Sequence, residues 1–133
     1  MVELMERMQP INYRFHHFHL FHINGGVIMS KTSQQKGRRA EIELSRLLNG
    51  YGYDTKPGNP LNYGKQADIV GLEGVHIEVK RRENPDLSAA LTQAREDAER
   101  FGDGLPAVFF RGNRQKWRVV MDLDEWVRLY GRR

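Results

Sequence analysis

The stretch Ala67-Asp68-Ile69-Val70-Gly71-Leu72-Glu73-Gly74-Val75-His76-Ile77-Glu78-Val79-Lys80 constrains this chain more than any other. Two short β-branched runs flank a Gly-Leu-Glu-Gly turn, the pattern of a β-hairpin. A turn centred on Glu73 sets Asp68 directly opposite Glu78, since each is five residues from the centre. Opposed side chains hold their Cβ atoms roughly 4.5–5.5 Å apart, where like charges destabilise. Two carboxylates so placed call for something positive between them. Lys80 lies two residues past Glu78 and shares its face, while Ile77 and Val79 face the other way. Asp, Glu and Lys converging in this way suit a hard divalent cation and a phosphate.

The rest of the composition sets bounds on the function. With 133 residues, the chain has room for one domain with a modest core. Its 39% hydrophobic and 29% charged residues describe a soluble protein. A net charge of +4 permits an acidic partner such as nucleic acid without requiring one. The absence of cysteine excludes disulfides, zinc–thiolate sites and thiol catalysis, and fits a reducing cytoplasm. No apolar run approaches the ~18–20 residues of a membrane span, so no membrane partner is expected. Pro10, Arg14 and several histidines break up the N-terminal segment, which does not read as a signal peptide.

The chain changes character near Met29. Residues 1–28 hold four of the five histidines and no lysine, with neither a helical nor a strand period. His16-His17-Phe18-His19-Leu20-Phe21-His22 could bind a transition metal, but a loosely attached extension accounts for it more simply. Gly25-Gly26 can be encoded as GGA-GGU, a ribosome-binding-site-like sequence two codons before Met29-Ser30-Lys31. Residues 1–32 are therefore expected to be an extension, disordered or not native, before a domain over 33–133.

From Ser33 the signals are regular. A helix is expected over Gln35 to Asn49, with Ala40, Leu44, Leu47 and Leu48 on one face. A short strand follows Tyr51–Lys56, and Pro57–Lys65 is a Gly/Pro/Asn loop. The hairpin occupies 67–71 and 75–82. Asn84-Pro85-Asp86 starts a helix to Phe101, striped with Leu87, Ala90, Leu91, Ala94 and Ala98 and closed by Gly102. Leu105–Arg111 is an apolar strand, and Lys116–Met121 another. Asp122-Leu123-Asp124-Glu125 resembles a capping box for a last helix to Tyr130. The order is αβββαβ with an added strand and helix, an α/β class.

Glu41 sits one step off the apolar stripe of the first helix, so it either points toward the sheet or is an ordinary surface glutamate. Lys36, Arg38 and Arg39 precede it at the expected helix start, where free N–H groups and the helix dipole favour phosphate. A solvated basic end explains them equally well. Asp68, Glu78 and Lys80 suit a division of phosphodiester hydrolysis between them, although a lone Glu-x-Lys is also common on surface strands. The carboxylates hold Mg²⁺, with Mn²⁺ able to substitute, and Lys80 orients or deprotonates the attacking water or stabilises developing charge. Gln93 either supports the site or is simply exposed. Lys56, Lys65, Arg81, Arg82, Arg111, Arg114 and Lys116 could supply a phosphate-tracking surface, with Asn62 and Tyr63 near substrate. Trp117 and Trp126 read as core, and His76 as exposed toward the turn.

These blocks resemble the PD-(D/E)xK nuclease superfamily, and within it the small Holliday junction resolvase-like endonucleases of phages and bacteria. The resemblance spans about residues 35–131. It runs through Lys36-Gly37-Arg38-Arg39-Ala40-Glu41, Ala67-Asp68-Ile69-Val70-Gly71, His76-Ile77-Glu78-Val79-Lys80-Arg81 and Leu91-Thr92-Gln93-Ala94-Arg95-Glu96-Asp97-Ala98. Arg111-Gly112-Asn113-Arg114 and Trp117-Arg118-Val119-Val120-Met121 complete it. It implies a restriction-endonuclease-like αβββαβ core with a mixed central sheet. It also implies Mg²⁺ at Asp68 and Glu78, Glu41 reaching the metal through water, Lys80 as catalytic lysine and a homodimer acting on DNA. The chain departs from the pattern in two places. Positions 57–67 hold no serine, where archaeal relatives carry a catalytic one, and Lys65-Gln66 stand where many phage relatives have an acidic residue.

The resulting expectation is a cytoplasmic, Mg²⁺-dependent endodeoxyribonuclease selective for four-way junctions, encoded by a bacterium or phage. The alternatives are a related nuclease acting on nicks, flaps or duplex ends, and a catalytically inert DNA-binding module.

Overall fold

The computed structural model describes residues 20–23, 26–29, 31–59, 61 and 66–132. Leu20–Ile23 (β1) and Gly26–Met29 (β2) pair antiparallel as a two-stranded sheet of their own. The rest of the 1–32 extension lies largely outside the described residues. Helix α1 spans Lys31–Gly50, followed by β3 (Lys56–Pro57), β4 (Ile69–Val70) and β5 (Val75–Arg81). Then come α2 (Leu87–Phe101), β6 (Leu105–Arg111), β7 (Arg118–Val120) and α3 (Leu123–Tyr130). The five strands β3 to β7 form one sheet in sequence order, mixed because β5 and β6 run parallel while the other pairs run antiparallel. The architecture is α/β. Among the described residues no helix is long and apolar enough to cross a membrane.

Strand β5 lies at the centre of the sheet and is buried on both faces. Ile77 and Val79 join Ala107, Phe109 and Trp117 under Ala40 and Leu44 of α1. On the opposite face Val108 and Phe110 of β6 pack against Ala90 and Ala94 of α2. The period-2 alternation of β5 and β6 thus feeds two helical layers, and the small alanines let α2 lie close to the sheet. Asp86 caps α2 by accepting the Ala89 N–H at 3.0 Å, and Gly102 ends it in the left-handed region at φ 63°.

Several boundaries differ from expectation. Helix α1 begins at Lys31, four residues before Gln35, because nothing in Lys31-Thr32-Ser33-Gln34 breaks a helix. The orphan N–H groups of a helix belong to its first turn. Lys36, Arg38 and Arg39 therefore lie inside α1, not at the phosphate-favouring terminus. The short strand that Tyr51–Lys56 is expected to lead into is Lys56–Pro57, and Asn49 holds the segment before it: its Oδ1 accepts the Thr55 N–H at 2.7 Å and its Nδ2 donates to the Thr55 carbonyl at 2.9 Å. The capping box at α3 does not form: Asp122 makes no side-chain cap and pairs with Arg95 at 2.5 Å instead. Trp117 is core, but Trp126 is half exposed, with Leu123, Val127 and Tyr130 also exposed on α3.

Glu43 is fully buried, which helix periodicity did not suggest. It accepts from Arg111 Nε at 3.2 Å, Arg111 Nη2 at 3.3 Å and Trp117 Nε1 at 3.1 Å. Burial raises its pKa, and Arg111 and Trp117 oppose the rise. A buried pair broken on one side strands the remaining charge, at a cost of about 3–5 kcal/mol, whereas joint apolar replacement is often close to neutral. Urea denaturation of Glu43→Ala should show that scale of loss, and Glu43→Leu with Arg111→Met a clearly smaller one.

Candidate metal centre

The hairpin has the register that a turn centred on Glu73 requires, with Ile69 paired to Ile77. The turn closes through Val75 N–H to the Leu72 carbonyl at 3.2 Å, and Gly74 supplies the positive φ of 84°. One step beyond Ile69 the ladder becomes irregular. Asp68 donates its N–H to the Ile77 carbonyl at 3.2 Å, while its carboxylate Oδ2 accepts the Val79 N–H at 2.8 Å. Asp68 thus brackets Glu78 from the neighbouring strand. Its own carbonyl accepts the Gly58 N–H at 2.8 Å, and a Cβ on Gly58 would stand 2.5 Å from the Ala67 carbonyl oxygen. Only glycine lets the 56–58 segment lie this close.

Glu78 is buried, and its Oε1 lies 3.3 Å from Lys80 Nζ. Lys80 also donates to Gln93 Oε1 at 3.4 Å, so Gln93, though exposed, reaches the site from α2. Glu41 turns inward from α1 and keeps an ion pair with Arg38 at 3.7 Å. Arg38 also donates to the Gly58 carbonyl. Acidic side chains from α1, β5 and the residue before β4 therefore influence one another electrostatically beside two cations.

Their pKa values reflect the crowding. Burial first, and then the charge of Asp68, push Glu78 up to about 8 against the pull of Lys80. Burial and then Asp68 push Glu41 up to about 8, with Arg38 opposing. Burial raises Asp68, opposed mainly by the Val79 N–H and then Lys80. The donors fit a hard divalent cation. All three are carboxyl oxygens, and Asp68 Oδ1 and Glu78 Oε2 remain once Val79 and Lys80 have taken the other oxygens. Asp68 and Glu78 are the residues that would hold such an ion.

The basic residues divide. Lys56, Arg39, Arg82, Arg114 and Lys116 are exposed, and Lys36 and Arg38 half-buried. Arg81 and Arg111, expected on a phosphate-tracking surface, are buried. They lie side by side in the β5–β6 register on the α1 face, where Arg111 pairs with Glu43 and Arg81 Nη2 donates to Asn113 Oδ1 at 2.8 Å. An odd-numbered position on these central strands points into the core, which removes both from the surface. Asn62, Tyr63 and Lys65 lie outside the described residues.

His76 is the main departure. Expected at the exposed turn, it is only 1% accessible. The chain leaving α2 covers it: the Phe101 ring lies 6.1 Å away, and its Nδ1 is 2.8 Å from Asp103 Oδ1. Asp97 on α2 joins the same neighbourhood. That His76 shares the face of Glu78 and Lys80 was visible in the spacing. That Asp97 falls one helical turn after Gln93 was visible too. The approach of Asp103 depends on tertiary structure alone.

Both Glu41 and Glu78 bind protons more tightly folded than unfolded, their pKa values rising from 4.5 to about 8. The folded state then holds more protons across that interval, and metal-free stability falls as pH rises through it. Calorimetric melting without divalent metal should show the midpoint dropping by several degrees between pH 5 and pH 8. Glu78→Gln should flatten the profile and melt above wild type at the alkaline end. A flat wild-type profile would contradict the crowding.

No family model matches the chain, and no curated protein matches it.

Proposed function

We propose that the chain is a Mg²⁺-dependent, structure-selective endodeoxyribonuclease that resolves four-way DNA junctions, built on a restriction-endonuclease-like αβββαβ core. The reading is carried by one observation: Glu41, Asp68 and Glu78 converge with Lys80 at the irregular end of a β-hairpin. A nuclease needs this balance of charge. Carboxylates alone would repel a phosphodiester, and cations alone would bind it without activating water.

Asp68 and Glu78 would hold Mg²⁺, which when bound would supply a water of lowered pKa and offset charge on the phosphate. The side chains of the chain do the rest. Lys80, tethered between Glu78 and Gln93, presents an ammonium group to the attacking water or to the developing phosphate charge. Gln93 acts as a positioning residue for Lys80. Glu41 accepts a proton or a hydrogen bond from water on the α1 side. An open pocket bordered by Lys80, Arg82, Asp86 and Gln93 lies beside the ammonium group, with space for a phosphate. Exposed Arg39, Lys56, Arg82, Arg114 and Lys116 contribute the non-specific backbone attraction. Paired cuts across a junction require two sites, hence a two-fold dimer.

The test is cleavage of a labelled four-way junction beside matched duplex, flap and single-stranded DNA. Wild type with Mg²⁺ should give paired symmetric nicks in the junction. Glu78→Gln and Lys80→Ala should each lose at least ~10²–10³-fold in rate while keeping junction affinity. Equal cutting of every substrate would overturn junction selectivity and leave a nuclease. Binding without cutting would favour an inert module. Light scattering should find twice the 15.5 kDa chain mass, and a strict monomer would count against paired cutting.

A further inference from the structure

We propose that His76, Glu78 and Asp97 form a second cation site, suited to a divalent transition-metal ion and sharing Glu78 with the Asp68–Glu78 site. The inference goes beyond the nuclease reading and holds whether or not the chain cuts DNA.

One potential ligand atom from each of the three residues lies within 4.8 Å of the other two. Acidic side chains close together do not make a site, and the imidazole supplies the independent observation. Nδ1 of His76 lies 2.8 and 2.9 Å from the two oxygens of Asp103. A carboxylate can only accept there, so Nδ1 carries the proton. In the neutral imidazole, the form that binds metal, Nε2 is then the nitrogen with a free lone pair. It is buried and has no hydrogen-bond partner. A buried polar atom left unpaired calls for an explanation, and a cation is one that also accounts for the two carboxylates.

The Asp103–His76 pair has the form of a carboxylate holding a metal-binding histidine in one tautomer. Strand and helix deliver the set together. Strand β5 places His76, Glu78 and Lys80 on one face, and α2 crosses that face in the opposite direction. Lys80 therefore meets Gln93, Glu78 meets Asp97, and His76 meets Asp103. Ligands at ~2.1 Å from a metal stand at most ~4.2 Å apart, so binding would draw in any pair of the set that lies farther apart than that. One imidazole and two carboxylates favour Mn²⁺, Fe²⁺, Co²⁺ or Zn²⁺ over Mg²⁺, which prefers all-oxygen shells. Arg100 Nη2, 2.8 Å from Asp97 Oδ1, occupies one oxygen and leaves the other.

Mn²⁺ titration of the full chain, followed by electron paramagnetic resonance, tests the site directly. Wild type should bind two Mn²⁺ per chain, one of which shows nitrogen coupling from histidine and persists in excess Mg²⁺. Asp97→Asn is a partly exposed change that should fold. It should weaken the nitrogen-coupled Mn²⁺ at least about tenfold, and Asp103→Asn by about 10–100-fold. Asp68→Asn should remove the other Mn²⁺ and leave the nitrogen coupling. Failure of the nuclease site would appear as an unchanged stoichiometry in Asp68→Asn. Absence of nitrogen coupling in wild type, or coupling unaltered in Asp97→Asn, overturns the second site.

Discussion

The hydrogen bond from the Val79 N–H to Asp68 Oδ2 joins β4 to β5 where a regular ladder would have used a backbone carbonyl. By substituting a carboxylate for that carbonyl, the hairpin carries a negative charge into its own seam. The Asp68 carboxylate cannot swing into solvent without giving up its bond to β5, and Glu78 is buried with its Oε1 3.3 Å from Lys80 Nζ. Glu41 then enters from α1, fastened through Arg38 to the Gly58 carbonyl next to β3. Burial first, and then the charge of Asp68, push Glu41 and Glu78 both up to about 8.

Strand β5 can hold such a cluster because its two faces are supported separately. Ile77 and Val79 bury under α1, with Arg81 on the same side held near the Glu43–Arg111–Trp117 group. His76, Glu78 and Lys80 face α2, where each meets a polar side chain from the helix or its C-terminal loop. The apolar contacts of α2 fall instead on β6, through Val108 and Phe110. A helix packed on its neighbour strand leaves the polar row of β5 covered but not filled by hydrocarbon, which is what a cation site needs.

Much of this was legible in the sequence because it depends on local spacing. Five residues on either side of Glu73 set the register. Asp86 and Gly102 marked both ends of α2, and the period-2 pattern placed Glu78 and Lys80 on one face. What escaped depends on contacts distant in sequence. Glu43 resembled any helical glutamate until Arg111, 68 residues away, was brought beneath it. Arg81 and Arg111 looked like surface cations because charge alone does not tell which face of a central strand is dry. His76 looked exposed because a histidine near a turn usually is, and only the loop carrying Asp103 buries it. Asp122 kept its helix-capping position but gave its carboxylate to Arg95, a competition between partners that no local motif encodes.

On the proposed function, the carboxyl cluster around Asp68 and Glu78 holds its protons until a divalent cation replaces them. Calorimetric titration with Mg²⁺ at neutral pH, repeated in buffers of different ionisation enthalpy, counts the protons released per metal bound. Saturable binding with release of at least one proton, reduced in Glu78→Gln, is the predicted result. No Mg²⁺ binding, or binding with no proton released, would contradict the account.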